Sequence, residues 1–268
     1  MGDNDYDPVG GHTKEEADAA YEALFRELHG PGQAGDLRGL ADESIGLAGD
    51  IYGQNQEGAR TSGDSHAILN PDPDAAPREK VAVVGHVYPD TDCVCAAIAY
   101  ARMRNMIDST REYIPFRAGL LNAETEYVLK RFGASVPEMF PGAAEGGIET
   151  ILVDHNKKSR IPDGVDMRYD VIEIVDHHRL RGAETAVPIK VRCEPYGATG
   201  TILYEMYLEK GLAPDAQTAG MLCAGIISDT YLLRTYKTVR EDRIACAALA
   251  NIAGVDIEEL ADEMFSVW

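Results

Sequence analysis

The distribution of apolar positions divides the chain near residue 80. Beyond it, short continuous apolar runs alternate with longer segments of helical period. Val81 to Val84, Tyr113 to Phe116, Thr150 to Val153 and Val171 to Val175 are predicted strands. Residues 92–107, 123–132, 198–210, 215–228, 239–252 and 256–265 are predicted helices. Several strand runs are apolar throughout rather than alternating, as expected when both faces of a sheet are covered. The expected fold class is α/β, a mainly parallel sheet with helices on both faces. In such sheets ligands gather beyond the carboxyl ends of the strands, which makes the residues after each strand the informative ones.

Before residue 80 no strand-like run occurs. Thr13 and Glu16 form a capping box, Ala17, Tyr21, Leu24, Phe25 and Leu28 recur at helical spacing, and Gly30-Pro31-Gly32 ends the helix they predict. A second, weaker amphipathic stretch covers about 37–53, and the turn-rich NPDPDAAPREK at 70–80 reads as a linker. Residues 1–79 hold 17 acids against 5 bases. The expected organisation is an acidic extension over 1–79, without evident chemistry, followed by a catalytic domain over 80–268.

Charge narrows the partners. With 45 acids against 25 lysines and arginines the net charge is −20, a field that repels polyanions, so duplex nucleic acid is not an expected partner. No window approaches the ~20 apolar residues of a membrane span, and no charged-then-apolar signal opens the sequence. No membrane partner is expected, and the expected location is cytoplasmic. The five cysteines include no Cys-x-x-Cys pair, and Cys93 and Cys95 lie inside an apolar run. Buried reduced thiols are expected, rather than a disulfide framework or a thiolate zinc site.

The chemistry lies at the element ends. VAVVG is followed by His86, then Asp90 and Asp92; TILV by Asp154-His155-Asn156; VIEIV by Asp176-His177-His178; and the apolar AGMLCAGIIS by Asp229. Each alone has an ordinary reading: Asp90-Thr91-Asp92 as a helix N-cap, the Asp154 stretch as a polar turn, Asp229 as a helix-end residue. Together they put carboxylates and imidazoles on one rim, where the carboxylates repel each other unless cations lie between them. Imidazole and carboxylate without thiolate suit Mn²⁺, Mg²⁺, Co²⁺ or Fe²⁺. His86, Asp90, Asp92, Asp154, His177 and Asp229 are too many for one tetrahedral site. They suit two metal ions ~3.5–4 Å apart with a bridging carboxylate and a bridging water. A water held by two cations becomes hydroxide near neutral pH, a nucleophile for phosphorus, which predicts hydrolytic phosphoryl transfer.

GHVYPDTDCVCAAIAYA, ILVDHN, IVDHHR, EPYGATGTILYEMY and AGMLCAGIISDTYLL resemble the N-terminal domain of the manganese-dependent, family II inorganic pyrophosphatases of the DHH phosphoesterase superfamily. The resemblance covers about 80–265. It implies hydrolysis of inorganic pyrophosphate with two divalent ions, Mn²⁺ first, Co²⁺ or Mg²⁺ as alternatives. It further implies one ion on His86, Asp90 and Asp154 and a second on Asp92, Asp154, His177 and Asp229, with Asp154 shared. His178 would face the phosphates as proton donor to the leaving group. Asp176 would orient the neighbouring imidazoles. A homodimer is also implied.

Three positions depart from the family pattern: Tyr88 stands where Asn is usual, Cys93 where Ser or Thr is usual, and Ala198 where Cys is usual. The family also carries a second domain whose basic Ser-Arg-Lys-Lys-like motif closes over pyrophosphate. That motif is absent from this sequence, so weak hydrolysis by this chain alone is expected. Lys157, Lys158, Arg160 and Arg179 are the candidate phosphate contacts; Lys157 and Lys158 read as solvated loop residues, and Arg179, directly after His178, is the better contact. The alternatives are another DHH phosphoesterase acting on short oligonucleotides or polyphosphate, and a metal-binding regulatory module.

Overall fold

The computed structural model describes residues 78–142 and 147–268. The helices expected over 13–28 and 37–53, and most of the 70–80 linker, lie outside the described residues. Among the described residues there are six strands: β1 (Glu79–Val84), β2 (Arg111–Arg117), β3 (Glu138–Met139), β4 (Thr150–Val153), β5 (Val171–Asp176) and β6 (Lys190–Cys193). Six α-helices accompany them: α1 (Thr91–Ile107), α2 (Ala123–Arg131), α3 (Thr199–Glu209), α4 (Ala216–Thr230), α5 (Arg240–Ala253) and α6 (Ile257–Phe265). All strand pairings are parallel, in the order β3-β2-β1-β4-β5-β6. The chain thus builds outward from β1 to β3, then returns to lay β4 on the other side of β1. The order reverses between β1 and β4, the position beyond whose strand ends parallel sheets bind ligands.

The two faces of the sheet are covered by different material. Ala82, Val84, Phe116, Leu152 and Ile174 form one cluster with Phe140 and Met167, and Ile161, Val165 and Ile189 pack against it. Phe140 meets Phe116 edge to face at 5.7 Å. Among the described residues these partners come from connecting segments. Helix α1 covers the opposite face, where Tyr100 and Arg104 reach the strands. The Tyr100 hydroxyl donates to Glu173 Oε1 at 2.6 Å and Arg104 pairs with Glu173 Oε2 at 2.5 Å. Glu173 is buried in mid-strand and is also paired with Lys190 at 2.6 Å, so its charge is compensated.

Helix α1 is buried from Thr91 to Ala101 because it lies between the sheet and helices α3 and α4. A helix apolar on every side belongs in such a middle layer. Its start is pressed against β1: a Cβ on Gly85 would lie 2.1 Å from Cys93 Sγ, so only glycine lets the strand end this close to the helix. No helix among the described residues is long and apolar enough to cross a membrane.

One buried carboxylate holds the helical layer together. Asp242, in the first turn of α5, accepts from Gly197 N at 3.0 and 2.9 Å, Thr201 Oγ1 at 2.6 Å and Val239 N at 2.8 Å. Replacing it leaves buried donors unsatisfied. Asp242→Ala is therefore expected to cost about 3 kcal/mol. For a domain of this size that lowers the melting temperature by roughly 6–12 °C in a thermal melt.

Candidate metal centre

The six candidate ligands meet at the carboxyl ends of β1, β4 and β5 and the end of α4. His86 follows β1, and its Nδ1 lies 2.9 Å from the Val87 carbonyl. With that nitrogen donating, Nε2 carries the lone pair. It faces Asp90 Oδ2 and Asp154 Oδ2, both at 3.4 Å. Asp90 serves twice. Its Oδ1 accepts from Cys93 N at 3.0 Å as the N-cap of α1, leaving Oδ2 toward His86. The cap reading of Asp90-Thr91-Asp92 is therefore true without excluding a ligand role.

His177 repeats the arrangement. Its Nδ1 is 3.0 Å from the Tyr196 carbonyl. Its Nε2 is buried without a hydrogen-bond partner, 3.3 Å from Asp154 Oδ1 and 3.2 Å from Asp229 Oδ2. Among the described residues the ligand atoms form three overlapping groups, His86 with Asp90, Cys93 and Asp154, Asp92 with Asp154, His177 and Asp229, and Asp154 with His177 and His178; within each, all lie within 4.8 Å of one another. Asp154 belongs to all three. A backbone φ of 62° carries it into the left-handed region, which aspartate tolerates better than most residues.

Asp92 is held differently, although it lies only two residues from Asp90. It is fully buried, and its two oxygens accept from Gly200 N at 3.0 Å and Thr199 N at 2.7 Å, buried amides of the first turn of α3 that have no partner within the helix. Ala198 supplies no side-chain cap there, so Asp92 satisfies the helix end from outside. Thr199 also donates its hydroxyl to Asp154 Oδ1 at 2.9 Å, tying the two carboxylates together. Gly225 of α4 leaves room for this, since a Cβ there would lie 2.6 Å from Asp92 Oδ1. Sequence reasoning missed Thr199; its one signal was the threonine-glycine step in GATGT.

The electrostatics show a cluster out of balance without cations. Burial, then the charges of Asp154 and Asp229, push the Asp92 carboxyl well above the usual carboxylate range, although its amide partners favour the anion. Burial also opposes the Asp154 anion, but the neighbouring His177 and His86 imidazoles hold it well below that range. Both imidazoles are raised against their burial, His177 chiefly by Asp154 and Asp229. Protons thus compensate the carboxylates here, and divalent cations would do the same with the imidazoles neutral. The orphaned Nε2 of His177 and the all-oxygen-and-imidazole donor set fit hard or borderline divalent ions. Cys93 is near, but burial pushes its thiol up to about 11, so it remains protonated at neutral pH.

Asp176 and His178 form an adjoining pair. Asp176 is fully buried; one oxygen accepts from His178 N at 3.0 Å and lies 2.9 Å from His178 Nδ1, while the other takes the Asn156 amide. His178 is half exposed, its ring 4.2 Å from that of His177. Arg179 is exposed, as is Lys158, while Lys157 and Arg160 are partly covered. His155 stands apart from the ligand groups. It packs edge-on to His86 at 6.1 Å, with burial lowering its pKa to about 4, and so remains neutral.

Two further residues were not foreseen. Lys237 places Nζ 3.1 Å from Asp229 Oδ2; burial opposes its charge, but Asp229, then Asp154 and Asp92, raise its pKa above the lysine norm. Glu124 of α2 is buried and accepts from Thr91 Oγ1 at 2.5 Å and Ser228 Oγ at 2.6 Å, bracing the turns that carry Asp90, Asp92 and Asp229. Tyr88, in the loop between His86 and Asp90, has a φ of 58° and is 89% exposed. Its ring contributes little packing while its backbone is strained. Tyr88→Asn is expected to stabilise the fold by about 1 kcal/mol. A melt should rise by roughly 2–4 °C.

Comparison with known proteins agrees with this geometry. The DHH family, N-terminal domain, matches residues 80–226, which include every candidate ligand except Asp229. The manganese-dependent inorganic pyrophosphatase of Bacillus subtilis is 40% identical over 181 residues, 68% of this chain and 58% of that protein. A probable manganese-dependent inorganic pyrophosphatase of Clostridium acetobutylicum is 38% identical over 185 residues, 69% of this chain and 58% of the relative. This chain thus spans less than two thirds of the length of these relatives. Among solved structures, a putative family II inorganic pyrophosphatase of Methanococcus jannaschii superposes with a TM-score of 0.62 at 34% identity, covering 70% of this chain and 61% of that one. An exopolyphosphatase-related protein of Bacteroides fragilis, 14% identical with a TM-score of 0.55, shares the fold. The matched segment runs through the parallel sheet and the reversal of its strand order, and the chain belongs to the DHH family.

Proposed function

We propose that residues 80–268 form a phosphoesterase domain that hydrolyses inorganic pyrophosphate to two phosphates with a pair of divalent ions, Mn²⁺ foremost. The observation that carries this reading is that a group on His86 and Asp90 and a group on Asp92, His177 and Asp229 share Asp154. His86, Asp90 and Asp154 would hold one ion, and Asp92, Asp154, His177 and Asp229 the other. When bound, such a pair supplies Lewis-acid chemistry, activating water and offsetting phosphate charge. The similarity to manganese-dependent pyrophosphatases supports both the metal and the substrate.

The chain's own residues have separable tasks. The carbonyls of Val87 and Tyr196 keep the Nε2 atoms of His86 and His177 directed at the carboxylates, fixing tautomer and ring angle. The amides of α3 orient Asp92, and the Thr199 hydroxyl orients Asp154. His178, braced by Asp176, is the group that passes a proton to the departing phosphate. Arg179 follows it in the open part of the same loop and contacts the phosphoryl oxygens.

Phosphate release measured with Mn²⁺, Co²⁺ and Mg²⁺ on pyrophosphate, polyphosphate and a dinucleotide tests the proposal. Turnover of pyrophosphate above the other two substrates, greatest with Mn²⁺, is expected. Turnover of the dinucleotide without pyrophosphate would overturn the substrate. Two tightly bound ions without any turnover would mark a metal-binding module instead.

A further inference from the structure

The chain leaves α4 through a left-handed turn of three consecutive non-glycine residues: Tyr231, Leu232 and Leu233 have φ of 48°, 57° and 60°. Left-handed backbone costs an L-residue roughly 1–2 kcal/mol, and runs of it are rare. Surrounding contacts hold it. Thr230 Oγ1 accepts from Leu233 N at 3.0 Å, Leu232 N donates to Ile227 O at 2.8 Å, and Arg243 of α5 donates to Leu233 O at 2.9 Å. The Tyr231 ring stacks on Phe265 at 5.1 Å. Strain maintained this firmly beside a candidate ligand points to a functional constraint.

The turn folds the following segment back toward the end of α4, and Lys237 arrives at Asp229. The ammonium lies 3.1 Å from Asp229 Oδ2, the same oxygen that stands 3.2 Å from His177 Nε2. A cation on the chain therefore shares the oxygen assigned above to a divalent ion. The Lys237 side chain is 35% exposed, so it has a route to solvent as well as to the carboxylate.

We infer that Lys237 is a substrate-binding residue that competes with the divalent ion for Asp229 and, once displaced, pairs with a phosphoryl oxygen. The inference rests on the metal-centre reading above. Two like charges cannot both sit at Asp229 Oδ2 without repulsion, so metal loading releases the ammonium. An incoming phosphate then offers the nearest uncompensated anion, on a protein whose net charge of −20 otherwise repels it. The consequence is an opposition: the lysine weakens metal binding and strengthens phosphate binding.

Titration calorimetry on wild type, Lys237→Met and Lys237→Arg tests this, with Mn²⁺ alone as the first probe and inorganic phosphate on the Mn²⁺-loaded protein as the second. Lys237→Met is expected to bind Mn²⁺ more tightly and phosphate about 10–100-fold more weakly, the loss of one charge-assisted hydrogen bond. Lys237→Arg is expected to retain most of the phosphate affinity, and melting curves taken alongside confirm that each variant is folded. Phosphate affinity unchanged in Lys237→Met, or Mn²⁺ affinity lowered, would overturn the role of Lys237 while leaving the metal centre standing. Wild type that binds no Mn²⁺ would overturn the metal centre itself, and this inference with it.

Discussion

Asp154→Asn is expected to remove both tight Mn²⁺ sites in one substitution. Its two oxygens face different imidazoles, Oδ2 toward His86 at 3.4 Å and Oδ1 toward His177 at 3.3 Å, so each ligand group loses its shared anion. The loss should exceed about 100-fold in affinity at each site, since even residues that merely brace ligands are worth about 10–100-fold. Pyrophosphate turnover should fall by about 10³-fold or more, the equivalent of about 4 kcal/mol of transition-state stabilisation. The fold should survive. Asparagine is nearly isosteric, accepts the left-handed φ of 62°, and can still take the Thr199 hydroxyl on its carbonyl oxygen. The metal-free melting temperature should fall modestly, because the His86 and His177 imidazoles lose the anion that both face. Calorimetric Mn²⁺ titration beside a melt separates these effects; two wild-type-like sites in the variant would refute the shared-ligand arrangement. Asp92→Asn is the poorer probe, because an amide NH₂ would oppose one of the two backbone donors that Asp92 now accepts.

Mn²⁺ itself should stabilise the protein strongly. Without cations the cluster carries Asp92, Asp154 and Asp229 in mutual repulsion, balanced by protons on the imidazoles. A ligand that binds only the folded state adds about 2.7 kcal/mol at a hundredfold excess over its dissociation constant. Two such sites, each at that excess, add about 5 kcal/mol, or roughly 10–20 °C in the melting temperature of a domain this size. Stripping with a chelator should reverse the gain, and manganese should restore it. A shift near half that size would indicate one ion in place of two. No shift would argue against a metal centre at these residues.

Much of the architecture was legible in local pattern. The predicted strands at 81–84, 113–116, 150–153 and 171–175 lie within β1, β2, β4 and β5, and the helices agree within two residues at each end. Apolar runs long enough to bury both faces mark themselves. The two strands that went unread are of another kind. β3 is two exposed residues, Glu138 and Met139, defined only by pairing with Phe116 and Arg117. β6, Lys190–Cys193, is a short, half-polar edge strand with no apolar run to announce it. Such strands exist because a neighbour's hydrogen-bonding edge is available.

The candidate site divides along the same line. Residue types at strand ends, acids and imidazoles where neutral turn residues would serve, were visible in the sequence and sufficient to propose cations. The supports were not. Thr199, Glu124 and Lys237 lie 45, 33 and 8 positions from the side chains they brace or contact, and no local period links them. Tyr88 looked anomalous by type, yet only the backbone showed why: it occupies a left-handed position that asparagine fills more easily.

By itself, then, the sequence determined the alternation of strands and helices and the chemistry of each strand end, because burial and side-chain type act locally. Tertiary structure decided adjacency. β4 pairs with β1 on one side and β5 on the other, and parallel strands stand about 4.8 Å apart. That spacing sets Asp154 between His86 and His177, within reach of both. The shared carboxylate is a product of strand order, and strand order is settled by packing among segments far apart in the chain.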